Sequence, residues 1–316
     1  MKIVFMGTPD FAAGVLESIL EAGYEVSLVV TQSDKPKGRS GKMVFSPVKE
    51  VPLAHGIPVF QPEKLKTPES VSELFQYEAD LYVVVAYGKM LSQEMLDHPR
   101  LGCINIHASL LPKYRGSAPI QWAVINGEKK TGVTIQQMEL GMDTGDILFT
   151  KELELDPKET GESLFDRLCE VSKELIVEAL PKIEAGEVTP IKQDESQATH
   201  AEMLTKAMGN LDFHKSAVEL ERLVRGLNSW PCAYTYLQGK VLKIWESELT
   251  DRVVNGEPGT VAEVTRDCIY VNTGDGVLGL TSVQLEGKKR MSAHDFLVGN
   301  KLQPGESFTR GNESVE

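Results

Sequence analysis

Three features of this sequence predict an α/β protein with a mostly parallel sheet, helices on both of its faces, and a separate C-terminal β-barrel. Strand-like and helix-like stretches alternate along the first half of the chain. The strand-like runs are almost unbroken Val, Ile and Leu, as expected for strands buried on both faces. From Tyr234 onward the pattern changes to short strands separated by Gly and Asn turns, which suits a small barrel.

The elements follow in order. Lys2 to Met6 reads as a buried strand, Gly7-Thr8-Pro9 as a turn, and the next segment as a helix with Phe11, Val15, Leu16 and Ile19 on one side. The run "YEVSLVVT" is a second strand, so the chain opens β-α-β. Asp80 to Ala86, Cys103 to His107, Gly132 to Met138 and Asp146 to Thr150 supply further strands. Leu164, Leu168, Val171, Leu175, Ala179 and Ile183 recur at three- and four-residue steps, one stripe of a long helix from Glu162 to Ile183. Gly186 can stop that helix and Pro190 prevents its resumption. These elements define a Rossmann-like domain over residues 1–189. Residues 190–207 are polar and aperiodic and read as a linker. Residues 208–308 carry a helix, "KSAVELERLVRGL", and then the strands of an OB-like barrel; 309–316 read as a disordered tail.

Composition narrows the functional classes. A formal charge of −13 argues against a broadly nucleic-acid-binding surface, so any polyanion must be met by a local basic patch. Cys103, Cys169, Cys232 and Cys268 lie far apart without metal-ligand spacing, which predicts reduced structural thiols and no metal. No apolar run approaches the ~20 residues of a membrane span, and the first residues lack a cleavable leader, so a soluble cytoplasmic protein is expected. The opening "MGTPDFAAG" lacks the G-x-G-x-x-G spacing of a diphosphate cradle, which argues against NAD and ATP.

The candidate chemistry lies in "GCINIHASLLPKYRGSAPI". Side chains alternate along a strand, so Asn105 and His107 share a face while Ile104 and Ile106 take the other. Either polar residue alone would more commonly be satisfied inside the core; as a same-face pair at a strand's carboxyl end they mark a site. Asp143, in "ELGMDTGD", lies between glycines, where a turn residue is the ordinary reading. The preceding strand "GVTIQQM" is expected to deliver it to the same sheet edge, where a carboxylate could orient His107 and tune its basicity.

The segment "NIHASLLPKYRGSAPIQWAVINGEKKTGVTIQQMELGMDTGDI" closely resembles the folate-dependent formyltransferases. The likeness includes "FMGTPDFA" at the start and "WPCAYT" and "LKIW" at the opening of the barrel. It implies formyl transfer from 10-formyltetrahydrofolate without a metal, with Asn105, His107 and Asp143 catalytic: Asn105 and His107 stabilise the tetrahedral intermediate and Asp143 supports proton transfer. It also implies a folate site lined by Ser109, Leu110, Leu111 and Pro112, with Tyr87 and Gly88 near the pterin. The acceptor it implies turns on the Ser33 to Lys49 loop, where Asp34 stands against Lys35, Lys37, Arg39, Lys42 and Lys49. In the resembled family such a loop meets the acceptor end of a charged initiator tRNA, with Arg39 on a base and Lys35, Lys37 and Lys42 on phosphates. Lys206 adds a tRNA contact, although the following "AMGNLD" is less charged than is common there. "EGKKR", Lys288 to Arg290, is a second basic cluster, on the barrel. A monomer is expected. An amino sugar nucleotide is the alternative acceptor, and a non-catalytic RNA-binding protein the alternative class.

Overall fold

A computed structural model describes residues 1–37 and 42–310, with the backbone alone for 35–37 and 42–43. The chain divides into two compact units. One comprises Met1–Pro119, Lys130–Glu154 and Phe165–Ala201; the other comprises Ile120–Lys129, Leu155–Leu164 and Glu202–Glu316.

The first unit opens with β1 (Lys2–Gly7), α1 (Asp10–Glu21) and β2 (Glu25–Val30), then a hairpin of β3 (Lys35–Lys37) and β4 (Lys42–Val44). It continues through α2 (Pro47–His55), β5 (Val59–Phe60), α3 (Pro68–Leu74), β6 (Leu81–Val85), α4 (Gln93–Asp97), β7 (Cys103–His107) and β8 (Arg115–Gly116). The chain then passes through α5 (Pro119–Ile125), β9 (Lys130–Gln137), β10 (Ile147–Glu154) and α6 (Gly161–Ala185) to β11 (His200–Ala201). The main sheet has the order β10-β9-β7-β6-β1-β2-β5. Its central strands are parallel and mostly buried, β6 along its whole length, as their apolar runs predict. Val4, Met6, Tyr82 and Val84 pack on one face with Leu74, Leu91 and Met95; Ile3 and Phe5 point to the other face and are equally buried.

The structure departs from the sequence reading at three places. β9 runs antiparallel to β7, pairing Thr134 with His107 and Gln137 with Ile104. Its end therefore lies beside the start of β7, and the Asp143 loop must fold back to reach His107. β10 extends beyond the expected Thr150 to Glu154 because an outer antiparallel strand tolerates alternating charge, as in "TKELE". Residues 191–201, within the stretch read as a linker, dock along the first unit. Ile191 exchanges backbone hydrogen bonds with Ile147, and β11 pairs in parallel with β8.

In the second unit, α7 (Ala217–Gly226) starts with a capping box in which Ser216 and Glu219 each satisfy the other's backbone N–H. It is followed by β12 (Ala233–Leu237), β13 (Lys240–Leu249), β14 (Val261–Val264), β15 (Ile269–Asn272), β16 (Val277–Leu285), β17 (Met291–Ser292) and α8 (Ala293–Gly299). The antiparallel order is β12-β13-β16-β15-β14, with β17 on β16. Leu220 and Val224 of α7 join Leu242, Ile244, Leu278 and Leu280 in its core. Ser307 bridges Thr260 next to β14 and Thr309 bridges Tyr236 in β12, so the final segment links the two edge strands. Thr309 thus has a structural role where the sequence suggested tail; residues 311–316 lie outside the described residues.

Cys103, Cys232 and Cys268 are buried and all four thiols are free; burial pushes the Cys103 thiol up to about 12 and that of Cys268 up to about 11. Among the described residues, no helix is long and apolar enough to cross a membrane.

Candidate active site

Asn105 and His107 project from the same face of β7, and Asp143 meets both. Asn105 Nδ2 donates to Asp143 Oδ1 at 3.4 Å, and His107 Nδ1 lies 3.6 Å from Asp143 Oδ2. The carboxylate is held further by the Gly116 backbone N–H at 2.9 Å and Gln136 Nε2 at 3.0 Å. Gln136 sits directly across from Asn105 in the β7–β9 register, so the sheet itself aims both amides at one carboxylate.

The histidine is locked in one tautomer. His107 is only 6% exposed, and its Nε2 lies 2.8 Å from the Tyr114 carbonyl oxygen. A carbonyl only accepts, so Nε2 must carry the hydrogen. In the neutral ring the proton-accepting nitrogen is then Nδ1, which faces Asp143. A proton taken up at Nδ1 turns this contact into an ion pair, whereas a neutral ring presents a bare nitrogen to the carboxylate. His107 therefore offers a base at Nδ1, and offers a hydrogen-bond donor there only once protonated.

Asp143 has φ 55°, a left-handed backbone that aspartate tolerates better than most residues. Gly145 closes the same turn. A Cβ there would collide with the Gln137 carbonyl oxygen. Gly145→Ala is expected to displace the turn and cost about 1–3 kcal/mol of stability through overpacking. Thermal unfolding of the purified variant checks this; an unchanged midpoint would show that the turn yields freely.

The loop after His107 is bound to β9. Thr134 Oγ1 donates to the Ser109 carbonyl at 2.7 Å and accepts from the Leu111 N–H at 3.1 Å, while Ser109 Oγ donates to the Lys113 carbonyl at 2.6 Å. The Leu111–Pro112 peptide is cis.

Residues 1–180 match the family model described as formyl transferase, and residues 203–301 match the formyl transferase C-terminal domain. The chain belongs to the formyl transferase family. It is 54% identical over 310 residues to a methionyl-tRNA formyltransferase of Lachnospira eligens, covering 96% of this chain and 98% of that one. A protein of the same name from Agathobacter rectalis is 52% identical, covering 98% of this chain and all of its own. In fold, this formyl transferase is similar to an N-formyltransferase from Helicobacter canadensis solved with folinic acid and dTDP-3-aminofucose. That likeness has a TM-score of 0.67 at 19% identity, covering 89% of this chain and 98% of the other.

The remaining expected site residues of this formyl transferase are placed as follows. Ser109 and Leu111 are buried, while Leu110 and Pro112 are half-buried beside them. Tyr87 and Gly88 follow the carboxyl end of β6, adjacent to β7, but the Tyr87 ring is 1% exposed within the core and its carbonyl accepts from Gln32 Nε2 at 2.8 Å. Burial pushes the Tyr87 phenol up to about 12. Lys35, Lys37 and Lys42 lie on the β3–β4 hairpin, with Lys37 paired to Lys42. Arg39 lies outside the described residues. Lys49 is spent internally on Asp34, at 2.6 Å, and this hydrogen bond holds the Asp34 carboxyl below its usual range. Lys206 is exposed and starts a short turn, Lys206–Gly209, in the second unit.

Sequence reasoning missed Gln136, Gly116, Tyr114 and Gln193. Gln136 had a signal: with Thr134 it alternates against Val133 and Ile135 in a buried strand, the same polar-face pattern that exposed Asn105 and His107.

Proposed function

We propose that this protein transfers the formyl group of 10-formyltetrahydrofolate to the free amino group of methionine on charged initiator tRNA, in cytoplasmic translation initiation. One observation carries the reading. A chain that aligns end to end with relatives named for this activity brings Asn105, His107 and Asp143 onto one carboxylate-centred network.

The folate supplies an activated formyl carbon. Negative charge develops on the formyl oxygen as the amine adds, and a prearranged donor lowers that barrier. Asn105 Nδ2 has two hydrogens and gives one to Asp143, leaving the second for this oxygen. The adding amine must lose a proton, and His107 Nδ1 takes it. Asp143 Oδ2 then stabilises the imidazolium while Tyr114 keeps the ring from rotating, and as the tetrahedral intermediate collapses the bond from the formyl carbon to N10 breaks and the imidazolium returns the proton to N10 of the departing tetrahydrofolate. Ser109, Leu110, Leu111 and Pro112, in a loop shaped by Thr134, form an apolar wall that suits a flat heteroaromatic ring, with Tyr87 and Gly88 contributing backbone rather than an exposed ring.

Acceptor recognition is assigned to the β3–β4 hairpin. Lys49 is held by Asp34, and the residues assigned to the tRNA are Lys35, Lys37, Arg39 and Lys42, with a further contact from Lys206. Arg39 offers a rigid fork for a base edge near the unpaired end, and the lysines offer point charges for phosphates. Arg39→Ala is therefore expected to raise the barrier for initiator tRNA by about 1–3 kcal/mol and to narrow its advantage over elongator tRNA. Lys35→Ala or Lys42→Ala should weaken both tRNAs alike and flatten the salt dependence. Single-turnover formylation of both tRNAs at two salt concentrations separates these results; initiator preference intact in Arg39→Ala removes the loop from recognition.

The function itself is tested by incubating the protein with labelled 10-formyltetrahydrofolate and charged initiator tRNA, with an amino sugar nucleotide as competitor. Label on the methionyl amine is expected. Label on the sugar alone would replace the acceptor.

A further inference from the structure

We propose that Gln193 is a positioning residue for formyl transfer, the contact through which the segment after α6 sets the Asp143 turn. The inference rests on the reading that Asp143 supports proton transfer, and it assigns a role to a stretch whose sequence reads as a linker.

The Gln193 amide bridges the Asp143 turn and the Arg115 guanidinium. Nε2 donates to the Asp143 carbonyl at 2.8 Å and to the Gly145 carbonyl at 2.7 Å, bracketing the turn that carries the carboxylate. Oε1 accepts from Arg115 Nε at 3.1 Å and Nη2 at 2.8 Å. The orientation of the amide is unambiguous, because a guanidinium only donates and a backbone carbonyl only accepts. Arg115 is 3% exposed and is fixed from its other side by Glu195, at 2.9 Å through Nη1 and 2.7 Å through Nη2.

The same segment also reaches the histidine. Thr199 accepts at its carbonyl from the Arg115 N–H and at Oγ1 from the Tyr114 N–H, both at 2.9 Å. Tyr114 in turn presents the carbonyl that fixes the His107 tautomer. Residues 193–199 thus hold Asp143 by one arm and His107 by the other. Asp143 needs such support, since its left-handed backbone is sparsely populated by residues other than glycine and persists where neighbours over-determine it. A loosened turn would still bind folate, whose expected wall is the Ser109 to Pro112 loop, but would hold the carboxylate out of register with Nδ1.

The test uses the full-length protein, measuring single-turnover rates at saturating substrates, KM for folate and tRNA, and the melting temperature. Gln193→Ala is expected to slow the single-turnover step about 10–100-fold, as small misplacements of reacting groups do, with both KM values largely unchanged and the protein still fully folded at the assay temperature. Gln193→Glu keeps an acceptor for Arg115 but has no N–H for the two carbonyls, so it should be equally slow. Gln197→Ala alters a residue of the same segment whose side chain bonds Asp194, and should leave the rate unchanged. A normal rate in Gln193→Ala, full recovery in Gln193→Glu, or slowing that merely follows lost melting temperature overturns the proposal. Asp143→Asn is run alongside. A slow Asp143→Asn beside a normal Gln193→Ala overturns the positioning role alone, whereas a normal Asp143→Asn overturns the underlying reading and this proposal with it.

Discussion

Asp143→Asn should slow single-turnover formylation by about 10²–10⁴-fold, the range that a positioned acid–base partner typically contributes. The substitution preserves shape, yet the surroundings do not accept it. Oδ1 faces the amides of Asn105 and Gln136, and Oδ2 faces the Gly116 N–H. Whichever way an asparagine amide turns, its NH2 group meets at least one donor. The mismatch leaves a partly buried donor unpaired, at about 1–3 kcal/mol of stability. Rate and stability fall for different reasons and can be separated. The stability cost comes from the donor clash, whereas the rate loss comes from removing the negative charge beside His107 Nδ1. Folate affinity should change little, since the folate loop is held by Thr134. The role fails if Asp143→Asn, still folded by thermal melt, formylates at close to the normal rate.

Asn105→Ala is expected to cost about 10²–10³ in turnover, the usual consequence of losing one oxyanion donor. Here the domain should survive. Asn105 is only half-buried, and Asp143 keeps Gln136 and Gly116 as donors after the amide is gone. Thermal melting and single-turnover rate together test this. If melting is preserved and the rate is near normal, the formyl oxygen is stabilised elsewhere. If the domain unfolds, Asn105 belongs to the core rather than to the reaction. Gln136 makes the contrast informative, because it touches the same carboxylate oxygen from the next strand while offering its amide to Asp143 alone.

Local pattern carried a good part of this protein. The Val-, Ile- and Leu-rich runs announced the central parallel strands because burial on both faces demands apolar residues at every position. The three- and four-residue spacing from Leu164 to Ile183 announced α6, because a helix buries one stripe. Asn105 and His107 stood out since a period of two puts both polar groups on one face of an otherwise apolar strand. The glycines around Asp143 marked a turn, although the role of its carboxylate came through resemblance.

Tertiary structure alone decided the rest. The direction of β9 is not written in "GVTIQQM", because a buried strand has the same composition whichever way it runs; that direction is what makes the Asp143 loop fold back. Gln193 stands 50 residues from Asp143 in the chain, within a polar stretch of no periodicity. Its meaning depends on two backbone carbonyls and one guanidinium that only folding brings to it. The His107 tautomer likewise depends on a backbone carbonyl, which has no sequence signature because every residue carries one. Thr309 reads as tail because the residues that follow it are mostly polar or glycine, yet it pairs with an edge strand whose partner residue, Tyr236, lies far back in the sequence. Side-chain polarity records whether a residue is buried, while hydrogen bonds between distant segments are set by backbone geometry, which the local sequence does not encode.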